Sequence, residues 1–240
     1  MKGLEHDHTS EAIKHRISSI KHSYVRDWIY GGIDGAVTTF AVVSGVAGAE
    51  LSHFIVLILG FANLFADGFS MAASNFLGTR AEQEDYKRLR EIELRHIELV
   101  PEGEREEVRH IYEQKGFEGE ELDKAVELIT SNKERWVQTM LTEEYGLPAE
   151  IRSSWKAAFS TFSAFSICGL VPLLPYLVSM DRQFLFSCVM TGATFFIIGA
   201  IKSYWSTSSW LRSALETFLV GALAAVLAYA VGVFLKGLAG

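Results

Sequence analysis

The chain reads as an all-α, polytopic membrane protein with five transmembrane helices and a cytoplasmic helical insert between the second and third. Two observations carry this. Apolar residues make up 49% of the 240 positions, and they gather in five windows, 29–49, 54–78, 157–180, 184–201 and 214–235, that hold only three charged residues. Windows of this length match a hydrocarbon core of roughly 30 Å. The charge is segregated just as sharply. Residues 80–156 hold 20 acids and 13 bases, so this one stretch accounts for the whole net charge of −7. Neither a soluble enzyme nor a disordered chain distributes charge in this way.

Four segments follow: an N-terminal segment over 1–26, helices one and two over 27–79, an acidic helical domain over 80–152, and helices three to five over 153–240. Segments 1–28, 80–156 and 202–213 carry 20 of the 22 basic residues, and the intervening loops and C-terminus carry 2. The positive-inside rule therefore places the N-terminus and the insert in the cytoplasm and the C-terminus outside or in a lumen. Residues 1–26 have no apolar signal region. A short N-terminus without a targeting extension fits a prokaryotic plasma membrane, with a vacuolar membrane as the alternative. Cys168 and Cys188 both lie in spans and are expected to be free and apolar in role. No phosphate loop, nucleophile elbow or Ser/His/Asp order is present, and no cofactor is expected. The acidic balance of the insert argues against nucleic acid as a partner.

The three charges inside the windows are Asp34, Asp67 and Glu216, with no base among them. A carboxylate at the bilayer centre costs on the order of 2.5–3.5 kcal/mol, so it faces a protein interior or a wet cavity. A mobile counter-charge, a proton or a metal cation, is the partner such acids call for. Glu216 lies three residues into its window and is expected to snorkel to the interface.

In the second span Asn63, Asp67, Ser70, Met71, Ser74, Asn75 and Gly78 recur at steps of three and four, forming one polar stripe. Carboxylate oxygen beside thioether sulfur suits a divalent transition metal better than an alkali ion or Mg²⁺. In the first span Gly31 and Gly35 flank Asp34 at the spacing that allows close helix approach, and they also leave room beside its carboxylate. In the third span Pro172 and Pro175 are expected to bend or end the helix.

The second helix continues past the membrane through residues 79–99 to Pro101. Another helix is expected from 102 to about 115, ending at Gly116, and further helical segments fill 119–145. Leu122, Val126, Ile129, Trp136, Val137 and Leu141 can form a small core. Metal-ligand residue types recur one turn apart: Glu93 with His96, Glu104 with Glu107, and Met140 with Glu144. Each pair alone is also what a solvated face of a Glu-rich helix shows. Helical di-metal sites use the Glu-x-x-His form.

The order of these features resembles the vacuolar iron transporter family. The resemblance rests on YGGIDG around Asp34, the following VTTFAVVSGVAGA, FADGFSMAASNFLG around Met71, and WVQTMLTEEYGLP closing the insert. It spans residues 24 to 236. It implies a homodimeric five-helix transporter that moves Fe²⁺, and related divalent ions such as Mn²⁺, out of the cytoplasm in exchange for protons. The implied path is lined by Asp34 and Met71, and the polar stripe adds Asp67, Asn63 and Asn75 as candidates beside them. The implied metal-gathering residues of the insert are Glu93, Glu104, Glu107, Met140 and Glu144. Three positions depart from the family pattern. His96 stands where Glu is usual, Leu141 replaces a second Met, and Asn63 occupies a position often held by Glu, with Asp67 one turn later.

The expected partners are thus divalent metal ions, protons, the lipid bilayer and a second copy of the chain. Two rivals are a membrane-anchored metal sensor without transport and a ferroxidase-like di-iron protein. The second needs two Glu-x-x-His motifs, and this chain has one. The tail histidines His6, His8, His15 and His22 are expected to be solvated.

Overall fold

A computed structural model describes residues 9–18, 23–148, 151–205 and 207–239. The helices are α1 Ser10–Ser18, α2 Val25–Gly48, α3 His53–Leu99, α4 Pro101–Gln114, α5 Gly119–Thr130, α6 Lys133–Glu143, α7 Ser154–Leu170, α8 Leu174–Leu177, α9 Gln183–Lys202 and α10 Trp210–Ala239. They fall into two compact units, one of α1 with Gly78–Ser153 and one of residues 23–77 with Ser154 onward.

The second unit is an apolar bundle. Among the described residues five helical stretches are long and apolar enough to cross a membrane: Val25–Gly48, part of His53–Leu99, Ser154–Leu177, Gln183–Trp205 and Trp210–Leu238. Three of them begin three or four residues before the apolar windows. Each first turn carries a charge, Arg26 and Asp27, Lys156, or Arg212, that helix geometry tolerates at a membrane boundary.

Close contacts fix the direction of every span. Gly31 and Gly35 of α2 press on the backbone of Thr161 and Phe165 of α7, and Gly169 of α7 faces Gly35 and Thr39. The constant offset means that α2 and α7 run parallel. Within α3, Gly60, Leu64 and Gly68 meet Leu173, Gly169 and Phe165, so α3 runs antiparallel to α7. The last helix, α10, runs parallel to α2, since Gly45 meets Ala228, Ala49 meets Gly232 and Glu50 just beyond α2 pairs with Lys236, and antiparallel to α9 through Gly199 on Ala214 and Gly221 on Phe195. The spans therefore alternate, and the chain leaves this bundle at Leu77 and returns at Ser154 on one face.

A Cβ at Gly31 or Gly35 would strike a carbonyl oxygen of α7. Their small size serves this contact, and the expected room beside Asp34 is not what these glycines provide. The two prolines break the third span as expected. After α7 a 3₁₀ turn, Val171–Leu173, carries Pro172, and the single turn of α8 carries Pro175. The Pro172 carbonyl accepts a hydrogen bond from Ser187 Oγ at 2.8 Å, which satisfies one freed backbone group inside the bundle. Cys168 and Cys188 are free thiols.

In the first unit α3 stops at Leu99, and Pro101 opens α4, where its missing N–H costs nothing. Beyond α4 the chain turns at Gly116 with φ +92°, and beyond α6 at Gly146 with φ +66°, left-handed positions suited to glycine. Asn132 caps α6 by accepting from the Arg135 N–H at 2.9 Å. Ile97, Val108, Leu122, Val126, Trp136, Val137, Met140 and Leu141 form the core of this unit, with Ile129 packed against it.

Candidate functional site

In the bundle, Asp34 lies midway along α2 and Asp67 midway along the apolar part of α3, both half-buried. Because α3 runs antiparallel to α2 and Asn63 meets Thr38, each one turn from its acid, Asp34 and Asp67 stand at the same level on neighbouring helices. Met71 follows Asp67 by one turn and is also half-buried. Thr38 Oγ1 donates to the Asp34 carbonyl at 2.9 Å and accepts from Asn63 Nδ2 at 3.3 Å. Asn63 therefore ties α3 to α2 one turn from the acidic pair.

Asn75, the last amide of the stripe, is bonded to two neighbouring helices. Its Nδ2 donates to Asp27 Oδ1 at 2.9 Å and to Thr161 Oγ1 at 2.8 Å, joining α3 to both α2 and α7. Asp27 is 5% exposed and lies on the same face of α2 as Asp34, seven residues away. It falls two residues before the first apolar window, and only helical spacing from Asp34 could have pointed to it.

Glu216 does not stand alone. Arg212 Nε donates to Glu216 Oε1 at 3.0 Å one turn earlier, with both side chains more than half exposed. The acid expected to lack a base has one, supplied by the first turn of α10 that the window left out.

In the other unit the separately spaced ligand pairs come together. Glu93 on α3 and Glu104 on α4 are 1% and 4% exposed. His96 Nδ1 lies 3.2 Å from Glu104 Oε1. Burial, and then the Glu93, Glu107 and Glu144 carboxylates, push the Glu104 carboxyl up to about 8. Glu144 is raised as well, by burial first and then by Glu93 and Glu107. Burial and the neighbouring like charges both favour a proton on Glu104 over another negative charge. Oε2 of Glu93 and of Glu104 are buried without a hydrogen-bond partner.

Tyr145 was not singled out by spacing. Its hydroxyl donates to Glu93 Oε1 at 2.9 Å, and burial followed by that carboxylate raises the phenol above its ordinary value. Its position directly after Glu144 was the available signal. Met140 is fully buried in the apolar core, beside Ile97 and Val108, which lie one turn beyond Glu93 and Glu104. Among the described residues no three His, Cys, Asp or Glu side chains converge as a bound ion would require. The donors are gathered but not closed into a cage. Oxygen donors with one imidazole suit first-row divalent ions. His6, His8 and His22 lie outside the described residues, as does the His15 side chain.

An apolar five-helix bundle with facing acids among its spans, joined to a small acid-rich helical unit, defines an integral membrane protein built to handle cations. A profile of the VIT family matches residues 25–233. The chain is 35% identical over 209 residues to vacuolar iron transporter 1 of Arabidopsis thaliana, covering 85% of this chain and 83% of that protein. It is 32% identical over 239 residues to the vacuolar iron transporter of Toxoplasma gondii, covering 93% and 78%. With the vacuolar iron transporter of Plasmodium berghei it shares 30% over 244 residues, covering 96% and 89%. The chain belongs to the VIT family, a family of transporters rather than enzymes.

Proposed function

We propose that this protein transports Fe²⁺, and Mn²⁺ with it, out of the cytoplasm in exchange for protons. The observation that carries this is the placement of Asp34 and Asp67 at one level of the spans, each one turn from the Thr38–Asn63 hydrogen bond, with Met71 one turn beyond Asp67. Two close carboxylates in a low-dielectric region must be neutralised. One divalent ion does so, and so do two protons, which gives the site two alternative neutral states and a reason to exchange them. Thr38 and Asn63 hold the pair in place, and Asp27 with Asn75 secures the bundle at one end of the same helix faces.

The insert acts as the collector. Its net negative charge raises local metal concentration. Glu93, His96, Glu104, Glu107 and Glu144 supply the donors, with Met140 as the soft neighbour beneath them. Metal entering between Glu93 and Glu104 displaces the proton on Glu104 and reaches the two unpartnered buried oxygens.

The distribution of basic residues supports a cytoplasmic N-terminus and insert. A homodimer is supported by α3, where Ala62, Ala66, Ser70 and Ser74 form a ridge of small residues exposed on the protomer, next to Asn63, Asp67 and Met71. A second α3 can approach such a ridge closely and cover its hydroxyls. The prokaryotic plasma membrane receives no support from the relatives named above, all of which carry vacuolar names.

The test is uptake of anaerobic Fe²⁺ and of Mn²⁺ into proteoliposomes. Uptake of either ion above protein-free vesicles is expected. A folded, metal-binding protein that gives no flux would instead be a sensor.

A further inference from the structure

Between the first turns of α2 and α7 lies a groove of about 520 Å³, lined by Tyr24, Trp28, Trp155, Lys156, Phe159 and Ser160. Its floor is fixed, since Ser160 Oγ donates to the Tyr24 carbonyl at 3.2 Å. Trp155 and Phe159 follow one another by a turn and are each 74% exposed, at the point where the third span begins. Exposed rings there are placed for the boundary between headgroups and acyl chains. Lys156 is also exposed, and among the described residues it has no ion pair. The cations Arg212 and Lys236, near other span ends, are paired with Glu216 and Glu50. An unpaired ammonium beside an aromatic groove at a membrane boundary complements one kind of amphiphile, with an anionic head and an apolar tail.

We propose that this groove holds an anionic phospholipid, its phosphate on Lys156 and one acyl chain between Trp28 and Phe159. The Ser160 hydroxyl is spent on Tyr24, so the headgroup is held by Lys156 and by the indole N–H of Trp155. A zwitterionic lipid brings its own cation beside the phosphate and gains less from Lys156. The site is independent of the transported ion.

Native mass spectrometry of the full chain released from detergent tests this, with phosphatidylglycerol and phosphatidylcholine of matched acyl chains as probes. Wild type is expected to retain phosphatidylglycerol preferentially. Lys156→Gln should weaken that lipid about fivefold, the factor one cation near an anionic surface contributes, and leave phosphatidylcholine unchanged. Lys156→Arg should keep the preference, and Trp28→Ala should weaken both lipids. Circular dichroism and elution volume verify that each variant is folded. Equal retention of the two lipids by wild type, or phosphatidylglycerol binding unaltered by Lys156→Gln, would overturn the proposal. So would displacement of the lipid by millimolar inorganic phosphate, which would assign the cation to a free anion, or a wild type that retains neither lipid.

Discussion

The Tyr145 hydroxyl donates to Glu93 Oε1 at 2.9 Å, fastening the end of α6 to a carboxylate on α3 that is 1% exposed. This bond orients the least accessible acid of the insert. Replacing Tyr145 with Phe keeps the ring and removes the donor. The expected result is about tenfold weaker Mn²⁺ binding by the full chain, the lower end of what partners of metal ligands contribute. Calorimetric titration in detergent measures it, and unchanged affinity would remove Tyr145 from the site.

Glu104 provides the pH dependence. Its carboxyl titrates at about 8 in the folded chain and near 4.5 when unfolded. Between those values the folded state keeps a proton that the unfolded chain has lost. Stability should therefore fall as pH rises from about 4.5 to about 8, and Glu144, also raised, adds in the same direction. Metal affinity should rise over the same interval, because the proton competes with the ion. Thermal denaturation across pH should show a flatter slope for Glu104→Gln than for wild type. Equal slopes would mean that Glu104 is not the titrating group.

The α2–α7 contact is a backbone contact. A Cβ at Gly35 would meet the Phe165 carbonyl, and one at Gly78 would meet nothing within 4 Å. Gly35→Ala is expected to cost about 1–3 kcal/mol through overpacking. Gly78→Ala is expected to gain up to about 1 kcal/mol from helix propensity. Denaturation midpoints in detergent compare the two, and similar values would argue against the observed approach of the helices.

Asn75 links three helices through Asp27 and Thr161. Asn75→Ala removes a donor from a buried carboxylate and should cost about 1–3 kcal/mol of stability. Asn75→Asp should be worse, since it sets a second negative charge beside Asp27. If Asn75→Ala were as stable as wild type but failed to carry metal, Asn75 would belong to the path after all.

Much of this architecture was legible in the sequence because its signals were long and redundant. Five apolar windows, Pro101, Gly116 and Gly146 delimit most helices without any tertiary information. The span starts at Val25 and Trp210 were less legible, because Asp27 and Arg212 bounded the apolar windows although the helices run through them. That boundary choice hid Asp27 and the base that pairs with Glu216. Spacing found Glu93, His96, Glu104, Glu107 and Glu144 as pairs on separate helices, but only packing brings them into one electrostatic group. Asn75 and Asn63 have the same period as Asp67 and Met71, and periodicity alone cannot tell a path-lining amide from one bonded to a neighbouring helix.

The proposed transport rests on exchange of a divalent ion for protons at Asp34 and Asp67. The most direct measurement is Mn²⁺ and anaerobic Fe²⁺ uptake into proteoliposomes carrying an internal pH dye, for wild type and Asp34→Asn. Wild type should take up metal while protons move the opposite way, and Asp34→Asn, folded and correctly reconstituted, should show neither movement. Metal flux that survives in Asp34→Asn, or wild-type flux without any proton movement, would contradict it.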